Sequence, residues 1–85
     1  MKAITTTYIG PTNTRGSRCR ASDGDGNAVT MSWNSANNSE ENHAAAARAL
    51  CDKMEWSGEL IGGTLVKGGR SVGMAWVWAN SSYRA

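Results

Sequence analysis

The length and composition of the chain restrict what it can be. Its 85 residues suffice for one domain with one thin hydrophobic core, and four Trp and two Tyr must supply much of the buried surface. Nine basic and seven acidic residues give a formal net charge of +2, which excludes both a histone-like polybasic protein and an acidic mimic of DNA. We therefore predict a single domain over residues 1–85.

Three strands are predicted in the first part of the chain. Residues 3–9 are rich in β-branched and aromatic side chains, and they stop at Gly10 and Pro11. After a loop at 10–17, residues 18–22 and 28–33 alternate polar and apolar side chains with the period of two typical of half-buried strands. The DGDGN segment between them favours a hairpin turn because Gly, Asp and Asn accept positive φ.

A single helix is predicted to follow, from a cap at Asn38 to about Glu55. Asn38 and Glu41 have the spacing of a capping box, and four consecutive alanines at 44–47 give the segment a high helix propensity. One side of the helix carries an apolar stripe, which consists of His43, Ala47, Leu50, Cys51 and Met54.

Two more strands are predicted to complete the sheet. Residues 59–66 form the fourth strand, with a possible bulge at Gly62-Gly63, and residues 67–70 form a hairpin turn. The last strand, 71–79, places Val72, Met74, Trp76 and Trp78 on one face, and it can be buried on both faces, as in the interior of a sheet. The predicted fold is α+β, an antiparallel sheet of about five strands with one helix packed on a face, in the order β-β-β-α-β-β. Its predicted core joins Val29, Met31 and Trp33 to Leu50, Met54, Val72 and Trp76.

Calcium is not expected, although the turn at 23–27 imitates the start of a calcium loop. Asp23, Asp25 and Asn27 have the right spacing, but Ala28 stands where Gly is needed and Asn34 where a bidentate Glu should be.

Catalytic and cofactor sites are not expected either. His43 and Cys51 share a helix face but lie about 12 Å apart, which is beyond hydrogen-bond reach for a nucleophile and its base. Cys19 and Cys51 form no CxxC pair and are predicted to be free thiols in the core, and no glycine-rich segment matches a nucleotide-binding loop. We therefore predict a protein that is not an enzyme and holds no cofactor or metal.

The cytoplasm is the predicted location. No stretch of the sequence approaches the roughly 20 apolar residues that span a bilayer, and polar Thr occupies the positions where a signal peptide has its apolar core.

An arginine cluster is the most suggestive candidate for a binding site. Arg15, Arg18 and Arg20 lie within six positions, and Arg18 and Arg20 project from one side of a predicted strand. The guanidinium fork binds carboxylates and phosphates through two parallel hydrogen bonds. Three interpretations remain open: a solvated strand face balanced by Asp23 and Asp25, contact with an acidic protein surface, and contact with nucleic acid. One of the four Trp is also a candidate for an exposed binding hot spot.

The sequence also resembles a functional class of small proteins. The segments GPTNTRGSR at 10–18, DGDGN at 23–27 and NSEENH at 38–43, followed by the alanine-rich helix, look like small proteins of phages and mobile elements. In size and layout the chain resembles the anti-CRISPR proteins, which share no common motif, so no functional residue is carried over. This resemblance implies an inhibitor, in the host cytoplasm, that binds a host defence complex.

The charge narrows what that resemblance implies. A chain at +2 cannot imitate DNA, so it would cover a protein surface that DNA must reach, with a type I CRISPR-Cas surveillance complex as the candidate partner. Free nucleic acid and membranes are not expected as partners. Two alternatives stay open: a small nucleic-acid-binding protein that uses the arginine cluster, and a self-associating accessory protein that pairs through an exposed strand edge.

Overall fold

The computed structural model describes residues 3–79, and it contains five strands and one helix. The elements in chain order are β1 (Ile4–Ile9), β2 (Arg18–Ser22), β3 (Ala28–Ser32), α1 (Ser39–Met54), β4 (Leu60–Lys67) and β5 (Arg70–Trp78). The order β-β-β-α-β-β and the α+β class are those predicted from the sequence. The element ends differ slightly from the prediction, because β3 stops before Trp33 and the last hairpin turn shortens to Gly68 and Gly69.

All five strands belong to one antiparallel sheet with the spatial order β3-β2-β1-β5-β4. The predicted β2–β3 hairpin is present, and β5 lies in the interior of the sheet between β1 and β4, as predicted. The helix α1 packs over β1, β2 and β3 and reaches β5 only at its margin. The β4–β5 hairpin therefore extends beyond the area that the helix covers.

The predicted capping box starts α1. The Asn38 side chain accepts a hydrogen bond from the Glu41 backbone N–H at 2.8 Å, and the Glu41 carboxylate accepts one from the Asn38 N–H at 2.9 Å. At the other end, Glu55 adopts the left-handed conformation with φ 58° and closes the helix. The predicted stripe faces the sheet: His43, Ala47, Leu50 and Cys51 are buried and Met54 is half-buried.

The core differs in part from the prediction. Its buried apolar residues are Ile4, Cys19, Ala21, Ala46, Ala47, Leu50, Cys51, Met74 and Trp76. Val29, Trp33 and Met54 are half-buried and pack against this cluster. The prediction was wrong for Met31 and Val72, which are 37% and 46% exposed. Met31 lies on β3, an outer strand of the sheet with no further strand of residues 3–79 beside it, and Val72 lies on the hairpin beyond the helix.

The irregular point of the sheet also lies elsewhere than predicted. Leu65 pairs with Gly73 and Val66 pairs with Ser71, so Val72 is the extra residue of a bulge on β5, and Gly62-Gly63 is regular strand. Gly62 has a different role, because a Cβ at this position would lie 2.5 Å from the Trp76 indole. The glycine thus leaves room for the ring to cross β4.

Cys19 and Cys51 are both free and buried, as predicted. Burial raises the pKa of both thiols. Between residues 3 and 79, no helix is long and apolar enough to cross a membrane.

Candidate functional site

The sheet has one face under the helix and one face without it. Directly opposed residues of neighbouring strands share a face of the sheet. Thr5 of β1 is opposite Ser22 of β2 and Ala75 of β5, so these three residues lie on the same side, away from α1. We call this side the open face. The strand registers place the following residues on it: Thr5, Thr7, Ile9, Arg18, Arg20, Ser22, Ala28, Thr30, Ser32, Ile61, Gly63, Leu65, Lys67, Arg70, Gly73, Ala75 and Val77.

Two of the three predicted arginines lie next to each other on the open face. Arg20 stands between Thr7 of β1 and Thr30 of β3, and Arg18 occupies the next position of β2 on the same side. Cys19 points the opposite way and is buried under the helix. Two cations are therefore held on one strand at a spacing of about 7 Å.

The Arg18 guanidinium is incompletely satisfied. Its Nε is buried and has no hydrogen-bond partner among residues 3–79. A buried polar group without a partner costs about 1–3 kcal/mol, and more when it is charged.

Arg15 joins Arg18 at a cleft of about 500 Å3 at the end of β2 and β3. Its backbone is fixed by Thr12, whose N–H donates to the Arg15 carbonyl at 2.8 Å and whose Oγ1 accepts from the Arg15 N–H at 3.1 Å. A Tyr8–Ser17 hydroxyl contact of 2.9 Å anchors the same loop. The cleft is lined by Arg15, Gly16, Ser17, Arg18, Thr30, Met31, Ser32 and Trp33, while Arg20 lies beside it on the open face.

The carboxylate of Asp23 forms hydrogen bonds within the β2–β3 turn. Asp23 Oδ1 accepts from the backbone N–H groups of Asp25 and Asn27 at 2.8 and 3.2 Å, and Oδ2 accepts from Asn27 Nδ2 at 2.8 Å. The residues that imitate the start of a calcium loop therefore stabilise the turn through these hydrogen bonds. Within 3–79, no group of three or more His, Cys, Asp or Glu could hold a metal ion.

Exposed apolar side chains accompany the arginines, and sequence reasoning did not identify them. Ile61 and Val77 lie opposite each other on the open face and are 55% and 39% exposed, and Val66 of the same hairpin is 65% exposed. No Trp in the described chain is strongly exposed: Trp76 is buried, and Trp33, Trp56 and Trp78 are half-buried. The possible exposed Trp hot spot is therefore not found.

A second cleft, of about 650 Å3, lies between the start of α1 and the β4–β5 hairpin. A buried polar cluster forms part of its wall. Thr6 Oγ1 lies 2.7 Å from His43 Nδ1, accepts a hydrogen bond from Trp76 Nε1 at 3.1 Å and donates to the Met74 carbonyl at 3.4 Å. His43 also packs edge-on against Trp33. These contacts join residues far apart in the chain, so no sequence signal indicates them beyond the place of His43 in the apolar stripe.

The environment of His43 makes the stability of the fold depend on pH. Burial lowers the pKa of His43 below its ordinary value of 6.5, and interaction with Thr6 offsets part of this effect. The unfolded chain therefore binds a proton at His43 more readily than the folded chain does. The free energy of unfolding is then highest above about pH 7, and it falls as the pH decreases through about 6.5. We expect a lower Tm at pH 5.5 than at pH 7.5, measured by circular dichroism.

A His43→Gln variant provides the control for this expectation. It lacks the titrating group, so its Tm should change little between about pH 5.5 and 7.5, where carboxylates are already ionised. An equal pH dependence in both proteins would assign the effect to other groups.

The chain was compared with known proteins. No protein-family model matches it, and no curated protein or solved structure shows significant similarity to it. The case for its function therefore depends on the geometry described above.

Proposed function

We propose that this protein is a small inhibitor that binds an acidic surface of a partner protein through the open face and the adjoining Arg15 cleft. The observation that carries the proposal is the position of Arg18, which faces the same side of the sheet as Arg20 and lines a cleft together with Arg15. A carboxylate that enters the cleft can accept from the Arg18 guanidinium while Arg15 and Arg20 add charge on either side. The protein would then act by binding, without an enzymatic step, a cofactor or a metal.

A protein partner suits the open face better than nucleic acid does. With a net charge of +2 and three clustered arginines, the chain would neutralise few phosphates, so its affinity for free DNA would be weak and would fall with salt. The exposed Ile61 and Val77 on the same face have no counterpart on a phosphate backbone. Apolar contacts surrounded by charged groups are typical of protein interfaces.

The resemblance to anti-CRISPR proteins supports a more specific proposal. The partner would be a type I CRISPR-Cas surveillance complex in the host cytoplasm, and the inhibitor would cover a protein surface that target DNA must reach. A basic inhibitor of this kind would occupy an acidic surface beside the DNA path and block access sterically, because its charge does not allow it to imitate DNA.

The test combines two charge reversals with a DNA-binding assay. A purified type I surveillance complex is incubated with the parent protein, and its binding of a target duplex is measured. We expect the parent protein to reduce DNA binding and the Arg18→Glu/Arg20→Glu double variant to lose this effect, since losing one partner of a desolvated charge pair costs about 2–5 kcal/mol.

The matched control is Arg48→Glu/Lys53→Glu, which changes the net charge equally at exposed positions of α1, on the opposite side of the sheet from the open face. It should inhibit like the parent, and the Tm of all three proteins should be compared. No inhibition by the parent would refute the assignment to surveillance complexes. Equal inhibition by both double variants would refute the role of the arginines, and tight, salt-sensitive binding of free duplex DNA by the parent would favour the nucleic-acid alternative.

A further inference from the structure

The two outer strands of the sheet differ in how their edges are protected. The β3 edge is five residues long, and Lys53 Nζ donates to the Ala28 carbonyl at 3.1 Å. The β4 edge is eight residues long, contains no Pro, and carries a charge only at its last residue, Lys67. No other strand of the described chain pairs with the outer side of β4. A long edge with one charge, at its end, is a template for pairing with another strand.

The hydrogen bonds to β5 determine which backbone groups of β4 point outward. The Ala79 N–H donates to the Glu59 carbonyl at 2.8 Å, so Glu59 and every second residue after it face β5. The N–H and C=O groups of the intervening residues face away from the sheet, and these are Leu60, Gly62, Thr64 and Val66. The bulge residue Val72 is on β5, so the outer edge of β4 is not interrupted.

We propose that β4 pairs antiparallel with β4 of a second copy of this chain, about a two-fold axis at Gly63. In this register Leu60 opposes Val66 of the other copy, and Gly62 opposes Thr64. Both are pairs of outward-facing residues, so the two strands can form about eight backbone hydrogen bonds. Two sheets of five strands would become one continuous sheet.

Charge complementarity favours this register and a second copy as the occupant. Glu59 and Lys67 are the charged residues at the two ends of the segment, and both are exposed. With the axis at Gly63, Glu59 of each copy lies opposite Lys67 of the other copy. Centring on Gly62 or Thr64 instead would separate these charges.

Burial of exposed apolar side chains supports the same arrangement. Ile61, which is 55% exposed, would lie opposite Leu65 of the second copy on the open face. Val66, which is 65% exposed, would lie opposite Leu60 of the second copy on the other face. The pairing would thus cover apolar side chains on both sides of the edge strand.

The pairing would also join the two open faces. An axis through an antiparallel strand pair keeps equivalent sheet faces on one side, so both helices would lie on the same side and both arginine clusters on the other. The two β2 strands would be seven strand spacings apart, or about 34 Å. This inference does not depend on the identity of the partner that the arginines bind.

A charge exchange tests the register. Sedimentation equilibrium at low ionic strength should show a concentration-dependent dimer for the full chain. Glu59→Lys and Lys67→Glu should each raise the dimer Kd severalfold, because like charges then oppose each other twice, and the Glu59→Lys/Lys67→Glu double variant should restore the parent value. A monomer at every concentration would overturn the proposal, and so would a double variant that is additively weakened.

A cysteine pair tests the position of the axis. Gly63→Cys places a thiol opposite itself across the axis, in a non-hydrogen-bonded pair whose Cα separation of about 4.5 Å permits a disulfide. A Cβ at Gly63 meets no atom within 4 Å, so the variant should fold. Oxidised glutathione should convert Gly63→Cys to a covalent dimer as it takes up the two electrons of the thiol pair.

The control is Ile61→Cys, whose thiol would lie four residues, or about 13 Å, from its symmetry equivalent and should not crosslink. Cys19 and Cys51 are buried in both variants and should react in neither. Equal crosslinking of the two variants, or none in Gly63→Cys, would exclude an axis at Gly63.

Discussion

Replacing Leu50 by Ala should lower the free energy of unfolding by about 2–5 kcal/mol. Leu50 is fully buried on α1 and is among the largest fully buried side chains of the described structure. Its core neighbours include Ala46, Ala47 and Cys51, which are too small to fill the space that the leucine leaves. For a domain of this size the loss is a large share of the total stability. Urea denaturation followed by Trp fluorescence measures it.

Met31→Ala is the matched control for this experiment. Met31 is a similarly large apolar side chain, but it is 37% exposed on the outermost strand. Its truncation should cost about 1 kcal/mol or less, because much of its surface is already in water. Equal losses for the two variants would show that the helix does not pack on the sheet through Leu50.

Local sequence signals were sufficient to predict the secondary structure. The capping box at Asn38 and the apolar stripe of α1 depend only on residues within a few turns of one helix. The alternation at Arg18 to Ser22 likewise determines which side chains of β2 share a face. The prediction that Arg18 and Arg20 lie on one side therefore needed no tertiary information, and the structure confirms it.

Errors arose where the outcome depends on the neighbours of a strand. Met31 has the spacing of a core residue, but its exposure follows from the position of β3 at the end of the sheet. Val72 has the right period as well, but the bulge and the short reach of α1 leave it exposed. Periodicity predicts which face a side chain occupies, and it does not predict whether another element covers that face.

The candidate site was predictable only in part for the same reason. The arginines could be identified because their chemistry is evident in the sequence. The buried Nε of Arg18 and the cleft that it shares with Arg15 result from how a loop packs beside two strands. The Thr6 cluster joins β1 to residues 37 and 70 positions away. Contacts at such separations leave no periodic signal in a single sequence.

Gly73→Ala should destabilise the fold by about 3 kcal/mol or more, because two effects act at one position. Gly73 has φ 144°, a conformation that side chains with a Cβ rarely adopt. A Cβ at Gly73 would also overlap the Thr6 carbonyl oxygen and lie 3.3 Å from the Thr6 carbonyl carbon. These are backbone atoms of the central strand, so they cannot move aside without opening the β1–β5 pairing that places Met74 and Trp76 in the core.

Gly63→Ala is the control for this variant, because Gly63 lies on the neighbouring strand and faces the same side of the sheet. Its φ is not positive and its added Cβ would meet no atom within 4 Å, so its midpoint in urea should stay close to that of the parent protein. The Thr6 cluster supplies a second readout, because separation of β1 from β5 would change the environment of the Trp76 indole that donates to Thr6. In the folded Gly73→Ala variant we expect shifted Trp fluorescence together with the lower midpoint. A variant as stable as Gly63→Ala would contradict the close approach of β5 to β1 at this position.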